Sequence, residues 1–431
     1  MSGTTIAILV FVLFFVFMFL KMPVALSMGL SGFIGLWLKL GLTAAFEVVS
    51  KEFHTYYMSY TLSVVPMFVF MGNLCFHTRI GGDLFEFFNT LVGHKRGGLL
   101  YASTLANAAF GAICGSPTAA GATMGSLCFP EMKKCDYDDT LASASIAAGG
   151  ILSVLIPPSL AFIMYGILTE NSIGKLFLSG IGPGLLLTFA FCVVIFFKVK
   201  REPHLAPAGP KYTAKEALKA GLKCLDVLVV FAFCLGGLMV GWFTPTEGGA
   251  LGALAILIAA AIKRRLTLEN LIKALKSTTK ATAMVIFLTF GAQILSRLIS
   301  VTGLAKALAK SLGSLDVAPI VILIIVILIV YALGFFIEAL ALTLIVIPVF
   351  YPLLVTTLGY DPFFFGALFV LVSSAGMLTP PVGLLCYVVS GVTKVRVGTV
   401  FKGIWPFFIA TGVVTVLMLL IPKIATFLCY L

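Results

Sequence analysis

The sequence predicts an all-α, polytopic membrane protein, built as an inverted repeat with two re-entrant hairpins and two interrupted helices. Of its 431 residues, 60% are hydrophobic and only 11% are charged, and the mean hydropathy is +1.13. A soluble protein of this composition would expose far too much apolar surface, so membrane lipid is the expected surrounding. The apolar runs are long and continuous, whereas the strands of a membrane β-barrel alternate over short segments.

Windows of about 20 apolar residues predict the helices that cross the membrane completely. Ten such crossings fall near residues 5–20, 23–40, 56–78, 139–169, 174–197, 224–242, 245–262, 281–300, 361–392 and 398–421. The first run has no basic leader and no small-residue cleavage site, which favours a retained helix over a signal peptide. Residues 99–130 and 317–357 are each too long for one crossing and carry turn formers or a charge near the middle. We therefore expect two re-entrant hairpins.

A double proline interrupts the apolar run at residues 149–166, GGILSVLIPPSLAFIMYG. Proline lacks an N–H and clashes with the carbonyl four residues earlier, so Pro157 and Pro158 free two carbonyls and favour an extended Ile156. In lipid, freed backbone groups are tolerated only where they are buried in protein or line a polar cavity. Residues 377–390, MLTPPVGLLCYVVS, repeat the pattern, and two such breaks in corresponding halves indicate the binding site of a secondary transporter.

The second half of the chain repeats residues of the first half at a constant offset in residue number. Gly111 and Gly334 are separated by this offset. The same offset matches Tyr137-Asp138 with Tyr360-Asp361, Leu155 with Leu378, Pro157-Pro158 with Pro380-Pro381, Gly180-Ile181 with Gly403-Ile404, and Pro183 with Pro406. Five predicted crossings separate equivalent segments, and an odd number makes the repeat inverted.

The net charge of +12 is interpreted as a sign of topology, because cytoplasmic loops collect Lys and Arg. The basic loops 198–223 and 263–280 flank the sixth and seventh crossings, so both are placed in the cytoplasm and the N-terminus outside. Within them, residues 214–224 and 268–277 are candidates for short helices on the membrane surface. The sequence has no basic stripe interleaved with exposed aromatic residues, so nucleic-acid binding is not expected.

The first candidate site combines the first hairpin tip with the first break. Hydroxyl and freed carbonyl oxygens are hard donors of the kind that Na⁺ accepts, and the ends of half-helices add partial charge. The candidate Na⁺ ligands here are Gly115, Ser116, Thr118, Ser153, Pro157 and Ser159. Small residues around a proline kink also serve tight helix packing, so it is the duplication of the pattern that favours a binding site.

The second candidate site combines the second hairpin tip with the second break. Its candidate Na⁺ ligands are Gly334, Glu338, Ser373, Gly376, Met377, Thr379 and Gly383. Thr379 supplies a hydroxyl, and the prolines are expected to free the carbonyls of Gly376 and Met377. Glu338 is a charge inside an apolar run, which is a functional hypothesis by default. The alternative is a hairpin-tip carboxylate that reaches water or pairs with a basic residue such as Arg297.

Further polar residues could line a substrate cavity or serve structure alone. The candidates for the cavity are Asn107, Ser116, Ser145, Ser159 and Glu338, while Asn73 and Ser103 lie in similar surroundings. Thr244, Pro245 and Glu247 are typical of a helix start, with a cap, a first-turn proline and an acid at the positive end of the dipole. No Walker motif, GxSxG or HExxH is present, so nucleotide binding and covalent catalysis have no support.

Three stretches resemble a known family. Residues 149–187, together with FTPTEGGALGAL at 243–254 and LTPPVGLLCYVVSG at 378–391, are similar to the large membrane subunit of tripartite ATP-independent periplasmic (TRAP) transporters. The resemblance implies a multi-pass protein of the bacterial inner membrane that pairs with a small four-helix membrane subunit. It also implies that a soluble periplasmic binding protein delivers the substrate and that a Na⁺ gradient drives an elevator movement.

The resemblance further implies a carboxylate substrate, with sialic acid preferred and a C4-dicarboxylate next. In these terms the chain divides into scaffold helices at 1–78, the first hairpin and interrupted helix at 79–198, a cytoplasmic basic linker with a surface helix at 199–223, scaffold helices at 224–300, and the second hairpin, interrupted helix and last helix at 301–431. Two alternatives stay open: a single-component Na⁺-coupled elevator carrier of dicarboxylates or ions, and a channel. An intramembrane enzyme would need a spaced catalytic pair, which the sequence does not show.

Overall fold

Helices form nearly the whole protein in the computed structural model, which describes residues 2–304, 307 and 318–430. They are α1 Gly3–Phe19, α2 Val24–Leu40, α3 Leu42–Tyr57, α4 Val64–His77, α5 Gly81–Val92, α6 Gly98–Cys114, α7 Pro117–Lys134, α8 Asp139–Leu155, α9 Leu160–Thr169, α10 Ile173–Arg201, α11 Ala214–Val240, α12 Pro245–Ile262, α13 Leu268–Thr302, α14 Pro319–Gly334, α15 Ala339–Tyr351, α16 Pro362–Gly376, α17 Leu384–Thr393, α18 Val397–Leu420 and α19 Lys423–Thr426. A 3₁₀ turn at Tyr60–Ser63 leads into α4, and a π-helical turn at Pro352–Thr357 extends α15. The prediction of an all-α fold is confirmed.

Seven helical segments within the described residues are long and apolar enough to cross a membrane. They are Tyr60–His77, Asp139–Thr169, Ile173–Arg201, Pro245–Ile262, Leu268–Thr302, Ala339–Thr357 and Val397–Leu420. The two parts of α11 meet at a bend of 44° and would make an eighth. The predicted crossings near 5–20 and 23–40 are apolar helices of 17 residues each, and the one near 361–392 is the shorter pair α16 and α17. The protein is therefore multi-pass on either count.

The equivalent positions of the repeat play equivalent roles in the structure. Asp138 and Asp361 both cap helices: the Asp138 carboxylate accepts a hydrogen bond from the Leu141 N–H at 2.9 Å, and that of Asp361 accepts from Phe364 at 2.8 Å. They begin α8 and α16, the first halves of the two interrupted helices. The repeated Tyr-Asp pair is thus explained in part by a helix start that the two copies share.

The two copies pack on each other reciprocally. From the first copy, α7 lies against α17 of the second, where Gly121 faces the Leu385 side chain. From the second copy, α15 lies against α9 of the first. Each hairpin's second arm therefore contacts the second half of the other copy's interrupted helix. A two-fold relation between the copies produces this pattern, since each contact then occurs twice.

The predicted surface helix at 268–277 is not a separate element, which corrects the prediction, whereas the one at 214–224 is set off from the rest of its helix by the 44° bend. Residues 214–224 are the first part of α11, and residues 268–277 are the first part of α13. A capping box of Thr213 and Glu216 begins α11, and no helix stop follows until Gly241, whose φ is +77°. The second amphipathic segment is thus continuous with the apolar helix that follows, and the first lies before the bend in α11. The structure also contains two helices that the sequence did not signal, α3 and α5.

The predicted cap of α12 is confirmed. The Thr244 hydroxyl accepts a hydrogen bond from the Glu247 N–H at 3.4 Å, and the Glu247 carboxylate accepts from the Thr244 N–H at 2.7 Å. Pro245 occupies the first helical position, where its missing N–H costs nothing. The motif is accounted for by this capping box.

A buried charge cluster joins the two basic loops at one end of the molecule. The Asp83 carboxylate on α5, with only 5% of its side chain exposed, accepts from Lys263 at 2.8 Å and from Arg265 at 2.9 and 3.0 Å. Lys263 also pairs with Asp226 on α11 at 2.9 Å and donates to the Lys223 carbonyl. Loops 198–223 and 263–280 therefore meet on the same side, as the predicted topology requires.

Candidate functional site

The first hairpin turns at Gly115 and Ser116. Gly115 has a φ of +61°, which favours glycine, and Ser116 is extended, so that α6 ends and α7 begins within two residues. Pro117 follows at the first position of α7. The Ser116 hydroxyl accepts from the Ala119 N–H at 3.4 Å and lies 3.1 Å from that of Thr118. The tip therefore presents two adjacent hydroxyl oxygens.

The first break lies in direct backbone contact with this tip. Ile156 is extended, with φ −81° and ψ 119°, as the double proline predicts. A Cβ built on Gly115 would lie 2.7 Å from the Pro158 carbonyl oxygen. Ser159, which precedes α9, has a fully buried hydroxyl with no hydrogen-bond partner among the described residues. A buried polar atom without a partner is costly, and a ligand can satisfy it.

The second hairpin turns between Gly334 and Glu338. A Cβ on Gly334 would lie 3.2 Å from the Cα of Gly376, so this hairpin also contacts its own copy's interrupted helix. Glu338 is half-buried at the start of α15 and caps no N–H with its side chain. The nearest carboxylate to Arg297 is that of Glu52, at 3.9 Å. Within the described chain Glu338 forms no ion pair, so the pairing with Arg297 is not observed.

The second break differs from the first in its hydrogen bonds. The Gly376 carbonyl accepts from the N–H and the hydroxyl of Thr379, at 3.1 and 3.0 Å. The Met377 carbonyl accepts from the Leu385 N–H at 3.2 Å. The expectation that these carbonyls are unpaired is therefore wrong. The physical reason is that α16 ends early, at Gly376, and a turn reaching to Gly383 supplies donors from further along the chain.

Both hairpin tips open onto one cavity of about 190 Å³, here called the central cavity. Its walls come from α4, the two tips, the start of α9 and the middle of α13. The lining residues are Val69, Gly72, Asn73, Cys114, Ser116, Thr118, Ala119, Leu160, Ala281, Met284, Val285, Glu338 and Leu340. Of the predicted site residues, the structure thus brings together Ser116, Thr118 and Glu338. Asn73 joins them and donates to the Thr278 hydroxyl at 3.1 Å.

Several predicted site residues lie away from the central cavity. Asn107 is buried between α6 and α8, donates to the Ser103 carbonyl at 3.0 Å and faces Gly149. The hydroxyls of Ser145, Ser153 and Ser373 donate to carbonyls of their own helices at 2.9, 2.7 and 3.1 Å. These three hydroxyls are satisfied locally, whereas the buried Asn107 Oδ1 has no hydrogen-bond partner among the described residues. Gly383 begins α17 with a φ of +55° and faces the Phe401 ring.

The sequence did not signal the wall that α13 provides. Ala281, Met284 and Val285 are ordinary apolar residues, and nothing in their type marks them as lining a cavity. Packing on two helices places them there: Gly29, Gly32 and Gly35 let α2 approach the next turns of α13 closely, and α13 also packs on α4. The spacing of these glycines in α2 is the one signal that could have placed α13.

The fold and the central cavity together define a class of protein. A multi-pass helical chain with two hairpins and two interrupted helices, in which both hairpin tips and the start of α9 line one cavity, is the architecture of a secondary transporter. Comparison with known sequences then gives the family. The family described as "Tripartite ATP-independent periplasmic transporter, DctM component" matches residues 11–424. The chain belongs to this family, and its role is transport as a large permease subunit.

Individual relatives are similar over most of the chain. The C4-dicarboxylate TRAP transporter large permease protein DctM of Pseudomonas aeruginosa is 33% identical, over 85% of each chain. The sialic acid TRAP transporter large permease protein SiaM of Vibrio cholerae is also 33% identical over 85% of each. The 2,3-diketo-L-gulonate TRAP transporter large permease protein YiaN of Escherichia coli is 31% identical, over 85% of this chain and 86% of its own length.

A solved structure shares the fold. The YdaH transporter of Alcanivorax borkumensis superimposes with a TM-score of 0.65 over 88% of both chains, at 16% sequence identity. At this level of identity the similarity concerns the fold alone.

Proposed function

We propose that this subunit imports a carboxylate across the bacterial inner membrane, coupled to Na⁺. In this proposal a periplasmic binding protein delivers the substrate, and a small four-helix membrane subunit completes the transporter. The observation that carries the proposal is the convergence of both hairpin tips on the central cavity, with Ser116, Thr118 and Glu338 on its walls. Family membership supports the two partners, since the family's description names a tripartite periplasmic transporter.

The Na⁺ sites are proposed at the two tips. The first comprises Gly115, Ser116, Thr118, Ser153, Pro157 and Ser159, and the unpartnered Ser159 hydroxyl supports it. The second comprises Gly334, Glu338, Ser373, Gly376, Met377, Thr379 and Gly383. In the second, Glu338 supplies the charge, because the carbonyls of Gly376 and Met377 already accept hydrogen bonds.

Glu338 also supplies a reason for coupling. A carboxylate substrate in a cavity of this size lies close to a second carboxylate, and like charges in a poorly solvated site repel strongly. A cation bound beside Glu338 removes this repulsion, so substrate affinity rises when Na⁺ is bound. The reciprocal effect, tighter Na⁺ binding in the presence of substrate, follows from linkage.

The movement proposed is an elevator, in which residues 79–198 and 301–431 shift against the scaffold 1–78 and 224–300. The central cavity supports this division, because α4 and α13 form one wall and the two tips the other. For the substrate we keep sialic acid first and a C4-dicarboxylate second. The relatives named for these two acids are equally identical to this chain, so identity does not separate them.

Uptake into proteoliposomes tests the proposal. The large and small subunits are reconstituted together, the cognate binding protein is added outside, and labelled sialic acid and succinate are compared with and without an inward Na⁺ gradient. We expect uptake of one acid that requires both Na⁺ and the binding protein. Uptake by the large subunit alone would favour the single-component carrier, and a saturating single-channel current would favour a channel. Uptake unchanged by Na⁺ would contradict the coupling.

A further inference from the structure

A second cavity, of about 400 Å³ and with a mostly polar lining, is at the end of the molecule where the basic loops meet. We call it the basic vestibule. It is bounded by the end of α4, the middle of α7 and the start of α13, and its polar lining residues are His77, Arg79, Thr123, Ser126, Asn270 and Lys273. Two of these are permanent cations, and none of the described lining residues is acidic. The positive-inside rule places this end in the cytoplasm.

The cations of the basic vestibule are available for a ligand. Within the described chain the Arg79 guanidinium forms no ion pair or hydrogen bond; Arg79 is engaged through its backbone alone, whose carbonyl accepts from the Arg265 side chain at 3.3 Å. Lys273 pairs with Glu269 at 2.5 Å, but Glu269 has 74% of its side chain exposed and lies outside the lining. An exposed pair of this kind contributes little, so Lys273 can exchange this partner for a ligand at small cost.

Neutral groups of the vestibule complete the set of donors. The Asn270 side-chain amide uses one N–H to donate to the Arg265 carbonyl at 3.1 Å and keeps a second N–H. His77 Nε2 lies 3.2 Å from the Ser277 hydroxyl, and its other ring nitrogen, Nδ1, takes no part in that contact. A planar, bidentate guanidinium beside an ammonium and an amide suits a carboxylate.

The same three helices line the basic vestibule and the central cavity. On α4, Asn73 of the central cavity lies one turn before His77 of the vestibule. On α7, Ala119 lies one turn before Thr123, and on α13 Ala281 lies about two turns from Lys273. The seam between α7 and the pair α4 and α13 therefore runs from one cavity to the other over one to two helical turns.

We propose that the basic vestibule is an anion-binding site that receives the carboxylate as it leaves the central cavity. This inference rests on the proposed import of a carboxylate. Arg79 and Lys273 hold the anion, and Asn270 and His77 orient it. A concave surface of one charge sign concentrates anions at its mouth, so the site draws the substrate along the seam and away from Glu338.

The test measures the vestibule without measuring transport. Ser126, exposed on the lining, is replaced by cysteine in the purified protein in nanodiscs. Its labelling rate is followed with an anionic sulfonatoethyl and a cationic trimethylammonium methanethiosulfonate, after subtraction of the rates of the native thiols. We expect the anionic reagent to react faster. In the background Arg79→Gln with Lys273→Gln, the ratio of the two rates should fall about tenfold, whereas Lys276→Gln, on the same helix but outside the lining, should change it less than twofold.

Protection by a carboxylate shows whether the vestibule binds or only attracts anions. Succinate should slow the anionic labelling of Ser126→Cys at least threefold more than NaCl of equal ionic strength, and the double substitution should abolish this difference. Equal labelling by both reagents, or equal protection by succinate and NaCl, would overturn the proposal. A wild-type protein that lacks Na⁺-dependent uptake but shows charge-selective, succinate-sensitive labelling would contradict the proposed function instead.

Discussion

The Cα of Gly376 lies 3.2 Å from where a Cβ on Gly334 would stand, and the equivalent approach in the first copy, between Gly111 and Ser153, is closer still. The two pairs are equivalent in the repeat: the constant offset that matches Gly111 with Gly334 also matches Ser153 with Gly376. In each pair, the first arm of a hairpin packs against the end of the first half of an interrupted helix. The repeated glycine that the sequence shows is thus required by a close backbone approach, and it fixes where each tip lies relative to its break.

Replacing Gly111 by alanine should destabilise the protein. The new Cβ would meet backbone atoms of Ser153, which cannot rotate away as a flexible side chain can, and we expect a loss of about 1 to 3 kcal/mol. Gly236→Ala is the matched control, because nothing lies within 4 Å of its Cβ position. The fraction of protein that stays monodisperse after heating measures the effect. Equal survival of the two variants would refute the contact.

Pro157→Ala with Pro158→Ala should abolish Na⁺-coupled uptake while the protein still inserts. Alanine restores two N–H groups, so the helix can continue through the break and pair the carbonyls that the prolines leave open. Pro130→Ala, in the last turns of α7 and away from both breaks, should keep uptake. The comparison is made in proteoliposomes with the quantity of inserted protein measured by immunoblot. Unchanged uptake with unchanged Na⁺ dependence would count against a site at the break.

Glu338→Gln should weaken Na⁺ coupling more than it weakens substrate binding. The substitution keeps the shape of the side chain and removes the charge that we assign to the second Na⁺ site, so the Na⁺ concentration for half-maximal uptake should rise at least tenfold. Glu47→Gln, an exposed carboxylate on α3, controls for the lost charge. A Na⁺ dependence that is the same in both variants would favour the alternative in which Glu338 is a hairpin-tip carboxylate that reaches water.

Asp83→Asn should lower stability by about 2 to 3 kcal/mol. The variant leaves Lys263 and Arg265 without their shared, buried carboxylate, and breaking a buried ion pair is costly. Glu86→Gln is the control, because its pair with Lys223 is about half exposed on both sides and is worth less than about 1 kcal/mol. Urea unfolding of the two variants, followed by tryptophan fluorescence, measures the difference. A shift for Glu86→Gln as large as that for Asp83→Asn would show that burial is not the cause.

The features that depend on residue type and spacing could be predicted from the sequence. The double prolines, the Gly115–Ser116 turn and the Thr244 cap each act through local backbone chemistry, so their positions follow from the residues alone. The early end of α16 at Gly376 could not be predicted in this way. It depends on donors that reach back from Thr379 and Leu385, and such contacts are set by the path of the chain after the break.

Features that depend on tertiary packing also could not be predicted from the sequence. The cavity wall on α13 consists of ordinary apolar side chains, and the packing of α13 on α2, α4 and α15 brings it to the hairpin tips. Arg79 and Lys273 look like two more cytoplasmic positive charges until α4 and α13 place them on one cavity. Position in space, rather than residue type, distinguishes them from Lys276.

The reciprocal packing of the two copies has a consequence for biogenesis. The surface of α7 around Gly121 is covered by Leu385, which belongs to the second half of the chain. At about 5 to 20 residues per second, the ribosome takes about 15 to 50 s to travel from the one residue to the other. During this time the first hairpin is in the membrane, and the surface of α7 around Gly121 is not yet covered by α17. Insertion factors that shield an uncovered helix surface should therefore be needed for the first half of this protein more than for the second.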